Sequence, residues 1–414
     1  MDSQGIGRRV AYWRSRRRMT HATLASLLER SVRWVEDLEG GRRQSDPRLS
    51  VLEAIARVLQ IELGALLADA PTAQCADAVE LAQIRATLQR HDVITGTAGA
   101  DCADPLPVHV LRAQLVHARS AFQAGRFGLV SRSVPELLVT TNTAAALLSG
   151  DDQLTAYQLL ALTLELAEAA AIKAGDTDLA TVAGHRAVAA AERSEDPVIM
   201  ASSARHLADA MTCHGQPEAA VAFALAAAAR LAPALLARGG TPAATSVLGM
   251  LYLKAGLAQA AVAESLGETP AVDAVFDLLG EADGHASRLG RRDGNELWTA
   301  FGTTNCQLYR VAAHVQLFDG AAAVAVATEI PPPATAALPR ERRAHLWGDL
   351  ARAYTQAGRY EDAVTTLLRA EDEAPEEVRC RPRTRLLVED LRLLAGSSGQ
   401  GRLRALAGRC GLPQ

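Results

Sequence analysis

The most regular feature near the start of the chain is a series of short apolar stripes at helical spacing. Ile6, Val10 and Trp13 follow one another at spacings of four and three, which predicts a helix with one inward face. Further stripes at similar spacing are formed by Leu24 and Leu28, by Val35 and Leu38, and by Leu49, Leu52, Ile55, Ala56 and Leu59. Residues 62–67 predict a short closing helix, so the pattern indicates a small domain of five helices.

The second and third stripes predict a helix-turn-helix. Ala25 offers a small side chain where the second helix must cross the first. Thr20 and Ser31 stand where each helix begins, and their hydroxyl oxygens can accept a backbone N–H two or three residues further on. Glu29 and Arg30 form the turn between the helices.

A different pattern, that of a tetratricopeptide repeat, appears near the C-terminus. Its positions are occupied by Trp347, Leu350, Ala351, Tyr354, Ala363, Leu367, Ala370 and Pro375, with Gly358 at the hairpin turn. The small residues let two antiparallel helices approach closely. Weaker copies centre on Gly125, Gly175, Gly215 and Gly256. The pattern predicts an α-solenoid of roughly seven or eight helical hairpins, at about 34 residues each.

These patterns divide the chain into four parts and predict an all-α fold. Residues 1–68 form the helix-turn-helix domain, and residues 69–107 form a linker that contains a connecting helix. Residues 108–395 form the tetratricopeptide-like repeat domain. Residues 396–414 are expected to be a loose C-terminal tail.

Charge is distributed unevenly between these parts. The whole chain of 414 residues has a net charge of −4, but its first 67 residues hold 12 arginines against 8 acidic residues. This first segment therefore carries +4 and the remainder carries −8. A basic segment joined to an acidic body is typical of a nucleic-acid-binding module attached to an effector domain.

The sequence contains no motif of an enzyme or a metal site. A P-loop, a GxSxG nucleophile turn, an HExxH pair and a Gly-rich dinucleotide turn are all missing, which predicts no catalysis, no cofactor and no metal. The six cysteines are scattered and are expected to be reduced thiols of a cytoplasmic protein. The alanine-rich residues 219–237 come closest to a membrane span, but Arg230 and Pro233 interrupt them, so no membrane span is predicted.

The residues of the first domain resemble the Cro/C1-type, or XRE, family of helix-turn-helix domains. The resemblance is carried by Met19, Thr20, His21, Leu24, Ala25, Ser31, Val35, Leu38, Glu39, Gly41, Arg42 and Arg43. It implies that the second helix of the motif enters the major groove of DNA. The residues it places at base edges are Val32, Arg33, Glu36 and Asp37, and those it adds to the contact surface are His21, Ser31, Arg42 and Arg43.

The same resemblance makes three further predictions. It implies a structural ion pair between Arg14 and Glu39. Glu29 stands where the family usually has glycine, so this turn residue is expected to need a positive φ. Carboxylates such as Glu36 and Asp37 read only cytosine amino groups well, so Arg33 would carry most of the sequence preference.

Residues 297–305 and 374–379 carry a second resemblance. Over nearly its full length, the chain is similar to bacterial regulators, widespread in actinobacteria, that join an XRE head to a degenerate tetratricopeptide body. This resemblance implies a cytoplasmic transcriptional regulator that binds double-stranded DNA. Its body would form a homodimer or sense a small-molecule or peptide effector. The alternative is a protein-interaction adaptor whose head does not read DNA.

A group of aromatic and polar residues stands out in a chain with only 4% aromatic residues. Its members are Trp298, Phe301, Asn305, Tyr309, Arg310 and His314. A concave solenoid surface lined in this way would hold an effector. The alternative is an ordinary repeat core with satisfied polar groups.

Overall fold

The computed structural model describes residues 3–17, 19–40, 48–59, 61, 63, 66, 78–95, 105–266, 269–290, 293–394 and 400–412. Within these ranges the regular structure is helical, without a β-strand. The predicted all-α fold class is confirmed.

The head contains four described helices around one apolar core. They are α1 (Ser3–Arg16), α2 (His21–Leu27), α3 (Val32–Glu39) and α4 (Leu49–Leu59). The predicted stripes supply the core except at Leu49, which is 57% exposed. The core contains Ile6, Val10, Trp13, Leu24, Ala25, Val35, Leu38, Leu52, Ile55, Ala56 and Leu59. The predicted closing helix falls mostly outside the described residues, although Leu66 is buried in the same core.

Local chemistry sets the ends of α2 and α3. The backbone N–H of Thr23 donates to Thr20 Oγ1 at 3.1 Å, and that of Trp34 donates to Ser31 Oγ at 3.2 Å. Glu29 adopts a φ of 53° in the turn. Both caps and the positive φ were predicted, and the structure confirms them. The helix-turn-helix geometry is therefore encoded locally.

Gly7 brings α1 against the end of α3 more closely than any other residue would allow. A Cβ atom at this position would lie 2.2 Å from the carbonyl oxygen of Leu38 and 2.9 Å from that of Glu39. Backbone atoms cannot move aside as a flexible side chain can. This close approach places Arg14, two turns further along α1, beside the last residue of α3.

The rest of the chain is a series of antiparallel helices. The two that precede the repeat region are α5 (Ala78–Leu88) and α6 (Asp92–Thr95). The next eight are α7 (Val108–Gln123), α8 (Phe127–Leu147), α9 (Gly150–Ala174), α10 (Thr177–Arg193), α11 (Pro197–Cys213), α12 (Pro217–Leu235), α13 (Pro242–Leu266) and α14 (Thr269–Arg288). After a 3₁₀ turn at Glu296–Trp298 come α15 (Thr303–Gln316), α16 (Gly320–Glu329), α17 (Pro332–Ala337), α18 (Arg340–Gln356), α19 (Tyr360–Glu373), α20 (Pro375–Arg379), α21 (Pro382–Leu394) and α22 (Gln400–Arg409).

Glycines form most of the hairpin turns that the sequence predicts. Gly125, Gly175, Gly215 and Gly358 have φ values of 75°, 82°, 81° and 72°, which glycine adopts without strain. The repeat predicted around Gly256 is wrong, because this residue lies inside the 25-residue helix α13. Gly256 instead allows α13 to pack closely against Leu279 of α14, since a Cβ at position 256 would lie 2.8 Å from Leu279 Cδ2.

The first helix of each hairpin lies on the inner side, and these inner helices close into a ring. Each inner helix contacts the next one in the chain order α7, α9, α11, α13, α15 and α18. The last of them, α18, returns to contact α7. A hydrogen bond of 2.8 Å from the Gly128 N–H to Glu376 Oε2 joins the first hairpin to the last part of the chain. The predicted solenoid therefore surrounds an interior instead of presenting an open concave face.

Two helices are long and apolar enough to match a membrane span by length and composition. In α13, 72% of the apolar window is buried in the protein, as expected for a core helix, whereas in α12 the buried share is 22%. The apolar surface of α12 consists largely of alanine.

The expectations for the tail and the cysteines need correction. Residues of the expected loose tail form α22, and Leu403 and Leu406 on this helix are fully buried against the core of α19 and α21. Cys380 is disulfide-bonded, whereas Cys213 and Cys306 are free thiols, as is Cys410. The expectation of six reduced thiols is therefore wrong at Cys380.

Candidate functional sites in the head and in the helical ring

The outer face of α3 presents most of the side chains that the sequence places at DNA bases. Val32 is 41% exposed, and Arg33 and Glu36 are exposed beside it. Asp37 is half-buried. The opposite face of the helix is fixed in the core through Val35, so the α3 backbone is rigidly held while its outer face is available to a partner.

Behind this face, Glu39 accepts hydrogen bonds from two other helices of the head. Arg14 Nε lies 2.6 Å from Glu39 Oε1, and Arg14 Nη2 lies 2.9 Å from Oε2. The pKa of Arg14 is raised, chiefly by its hydrogen bond to Glu39. His21 Nε2 also lies 3.0 Å from Glu39 Oε2. The network connects α1, α2 and α3, and it directs His21 toward Glu39. Arg42 and Arg43 lie outside the described residues.

The ring encloses a cavity of about 120 Å³. Its wall carries many charged groups on a surface that also includes Phe122, Ile172 and Met250. The cations on the wall are Arg119, Lys173, Arg205, Lys254, Arg342 and Arg381. Charged side chains are rarely buried without partners, so such a concentration needs an explanation.

Carboxylates neutralise four of these cations directly. Arg119 Nη2 lies 2.8 Å from Glu165 Oε2, and Lys254 Nζ lies 2.6 Å from Asp209 Oδ2. Two glutamates on α18 and α20 hold Lys173 Nζ, Glu341 at 2.5 Å and Glu377 at 2.7 Å. Arg381 shares Glu377 at 2.5 Å. Apart from the local pair Arg381–Glu377, these pairs connect helices of different hairpins and so hold the ring together.

Burial shifts the pKa of two titratable groups on the wall toward their uncharged forms. It raises the pKa of Glu168 well above its ordinary value, which favours the protonated acid. Burial and then the positive charges of Arg205, Arg119 and Lys254 hold the pKa of His206 well below its ordinary value. The two groups contact each other, with His206 Nδ1 2.6 Å from Glu168 Oε2.

One cluster on the wall has the donor set of a metal site. Ligand atoms of Glu341, His345 and Glu377 lie within 4.8 Å of one another. The ammonium group of Lys173, however, already contacts both carboxylates. Burial and the charge of Arg381 lower the pKa of His345 to about 4. The lysine therefore supplies the positive charge that a metal would bring.

A strained segment carries Trp298 to the cavity wall. Leu297, Trp298 and Ala300 have φ values of 48°, 56° and 47°, a region that residues with side chains rarely adopt and that costs about 1–3 kcal/mol each. Gln123, at the end of α7, fixes the segment from another helix, because its side-chain amide exchanges hydrogen bonds of 2.9 and 3.0 Å with that of Asn295. The indole ring of Trp298 then lies 5.2 Å from the guanidinium carbon of Arg119.

The structure brings three of the six predicted effector residues into this cavity. Trp298, Asn305 and Tyr309 line it.

Phe301 is instead fully buried in the core, where its ring fills the space left by Gly249, since a Cβ there would lie 2.0 Å from Phe301 Cζ. Arg310 pairs with Asp283. His314 packs against Phe276 with the ring centroids 4.8 Å apart.

Sequence reasoning missed the charged residues of the wall. The signal was present in α9, where Glu165 and Glu168 interrupt a run of leucine and alanine and are both fully buried. Charged residues on the buried face of an apolar helix indicate a polar interior. Their partners come from other hairpins, so no local pattern connects them.

A wider groove of about 350 Å³ lies between α5, α8, α9 and α10. Its arginines are committed to the surrounding structure. Arg193 stacks on Tyr157 with 4.2 Å between the guanidinium carbon and the ring centroid, and Arg186 donates to the carbonyl of Leu88. The ring cavity is therefore the better candidate for a ligand site.

Comparison with known proteins finds likenesses among solved structures. No family model and no curated protein sequence matches the chain. Among solved structures, the chain is similar to that of Bacillus thuringiensis PlcR in complex with the peptide PapR7 and DNA. The identity is 14% and the TM-score 0.32, and the match covers 75% of this chain and 99% of PlcR.

Proposed function

We propose that the protein is a sequence-specific DNA-binding transcriptional regulator of the XRE type, active in the cytoplasm. The head at residues 1–68 reads the DNA, and the repeat body at residues 108–395 dimerises or responds to an effector. The observation that carries this proposal is the helix-turn-helix geometry itself. Capped helices α2 and α3 lie on a closed core, and α3 presents Arg33 on its free outer face.

Within the head, the roles divide between bases and phosphates. Arg33, near the start of α3, is placed to donate two hydrogen bonds to a guanine edge, which is the commonest specific contact in the major groove. Val32 offers a methyl contact to thymine, and Glu36 offers an acceptor to cytosine. Arg42 and Arg43 follow α3 along the chain and are proposed to contact phosphates.

The decisive experiment is selection of bound sequences from random duplexes by the full-length protein, followed by titration of the selected site. Arg33→Ala should weaken binding to this site about 10- to 100-fold, the size of one lost bidentate contact, and should change binding to random DNA far less. Arg57→Ala is the matched control, because Arg57 is exposed on α4 and outside the proposed surface. Equal losses for both variants would refute the assigned role of Arg33.

Salt dependence separates the regulator from an adaptor with an inactive head. Binding that neutralises several phosphates releases counterions, so the logarithm of the affinity falls steeply with the logarithm of salt concentration. An adaptor would show no such slope on any duplex.

A homodimer is part of the proposal, because one small head covers too little DNA for tight specific binding. Two heads should select a pseudo-palindrome. Recovery of a single half-site would reject the dimer.

A further inference from the structure

Two cations of the ring cavity, Arg205 and Arg342, have no carboxylate within ion-pair distance in the described part of the chain, and Arg205 is buried all the same. Arg205 on α11 is 6% exposed, and its Nε has no hydrogen-bond partner there. The neighbouring carboxyl group of Glu168 contacts His206 instead, with His206 Nδ1 2.6 Å from Glu168 Oε2, and burial disfavours its ionised form by raising its pKa. A buried guanidinium without a counter-charge is costly, and folding alone gives no reason to keep it.

Arg205 lies close to other cations of the wall. Burial is the largest cause that lowers the pKa of Arg119, and the charge of Glu165 opposes it. The charge of Arg205 lowers this pKa further, which means that the two guanidinium groups repel each other. The carboxylates of Glu165 and Asp209 are already paired with Arg119 and Lys254. The cavity lining as a whole holds six lysine and arginine side chains but three carboxyl groups, those of Glu168, Asp209 and Glu341.

Arg342, on α18, offers a second set of donors. Its Nη2 donates to Asn305 Oδ1 at 3.0 Å, its Nε has no partner, and its guanidinium carbon lies 5.4 Å from the ring centroid of Tyr309. Helices α11 and α18 are not neighbours in the ring. A ligand that uses both arginines would therefore connect two separate parts of the wall.

We propose that the ring cavity binds a small organic oxyanion, a carboxylate or a phosphate ester with a compact apolar body. Arg205 is the anchor for the anionic group, and Arg342 adds hydrogen bonds. Phe122, Met250 and Trp298 contact the apolar part. The volume of about 120 Å³ favours such a molecule over an extended peptide. This proposal deepens the effector role described above and rests on it.

The first test measures binding by the full-length protein with three probes that share one aromatic body. They are phenylacetate, phenyl phosphate and the neutral phenylacetamide, each compared at constant ionic strength. At least one anion should raise the melting temperature by about 3 °C or more at saturating concentration and change the fluorescence of Trp298. The neutral amide should do neither. The fluorescence change should disappear in Trp298→Phe.

The relative effects of phenylacetate and phenyl phosphate identify which oxyanion the site prefers. No response to either anion, or an equal response to the amide, would overturn the proposal. A response only to an added peptide library would also overturn it, in favour of a peptide site.

The second test uses Arg205→Met with Arg230→Met as the matched control, because Arg230 is exposed on α12. Arg205→Met should abolish the response to anions, and Arg230→Met should retain it. Without ligand, Arg205→Met should melt at the same temperature as the parent protein or higher, because it removes an uncompensated buried charge. A clear loss of stability would show that Arg205 is a structural ion and would overturn the proposal.

DNA binding is measured separately on the selected site, so that the two proposals can fail independently. Anion binding that leaves the DNA affinity unchanged supports the cavity site and rejects its role as an effector switch. Absence of DNA binding, with intact anion binding, rejects the proposed regulator function alone.

Discussion

Lys173→Met should destabilise the ring strongly, because it removes the one ammonium group held between Glu341 and Glu377. All three side chains are buried, at 7%, 5% and 3% exposure. Breaking a buried ion pair from one side strands the remaining charge and typically costs 3–5 kcal/mol. We expect a loss of about 3 kcal/mol, the lower end, because Arg381 still contacts Glu377.

The loss should depend on pH in a defined direction. Burial by itself would raise the pKa of both carboxyl groups. Lys173 is the largest opposing cause at each, and together with His345 and a neighbouring arginine it holds the pKa of Glu341 well below, and that of Glu377 below, the ordinary value of 4.5. Their stabilising contribution is therefore complete above about pH 4.5 and is lost at more acid pH. Without the ammonium, burial raises both pKa values, so the variant should lose least near pH 5 and most near pH 8. The substitution leaves the other charged or titratable groups near the two carboxylates, Arg342, His345 and Arg381, in place.

Differential scanning fluorimetry and urea denaturation of the full-length protein measure this effect. A loss of about 3 kcal/mol corresponds to a fall in melting temperature of about 6–12 °C for a domain of this size. Adding Glu341→Gln and Glu377→Gln to Lys173→Met should recover much of the loss, since no charge is then stranded. A fall below about 2 °C, or no recovery in the triple variant, would refute the buried ion triad.

Three further predictions concern other contacts. Gly7→Ala should destabilise the head by more than about 2 kcal/mol, because its Cβ would overlap the carbonyl of Leu38. Urea denaturation followed by the tryptophan fluorescence of the head measures this loss of stability. Unchanged unfolding would contradict the close helix contact. Phe301→Ala should cost about 3–5 kcal/mol through the void it leaves beside Gly249, measured as a lower melting temperature, and a change under 1 kcal/mol would argue against a core role. Glu168→Gln should keep or raise the melting temperature at pH 7. The reason is that the raised pKa of Glu168 makes the parent protein less stable as pH rises above the ordinary carboxyl range. The melting temperature of the variant should therefore vary less with pH than that of the parent, and a large loss at pH 7 would show that Glu168 is ionised.

The head could be predicted closely because its determinants are local. Thr20 and Ser31 cap helices within three residues of themselves, and the φ of Glu29 is set by the turn that it occupies. The apolar stripes repeat within single helices. Even here, the approach of Gly7 to Leu38 was missed, because the two residues are 31 positions apart and only the packed domain brings them together.

The candidate effector site could be predicted only in part. Trp298, Asn305 and Tyr309 were found because rare aromatic and polar residues cluster within a short segment. Phe301 belongs to the same cluster but turns into the core, since the strained backbone at Trp298 and Ala300 directs consecutive side chains to different sides. Spacing along a helix cannot reveal this, because the segment is not helical throughout.

The sequence by itself determined the helical fold, the helix-turn-helix and the repeated hairpins, because caps, turns and apolar periodicity act over a few residues. Only the tertiary structure decided that the hairpins close into a ring, with Lys173 held by Glu341 and Glu377 from the far end of the chain. It also decided which charges inside the ring are paired, leaving Arg205 without a carboxylate partner among the described residues. Whether a buried charge is compensated depends on distances between helices, and those distances are set by the packing of the whole ring.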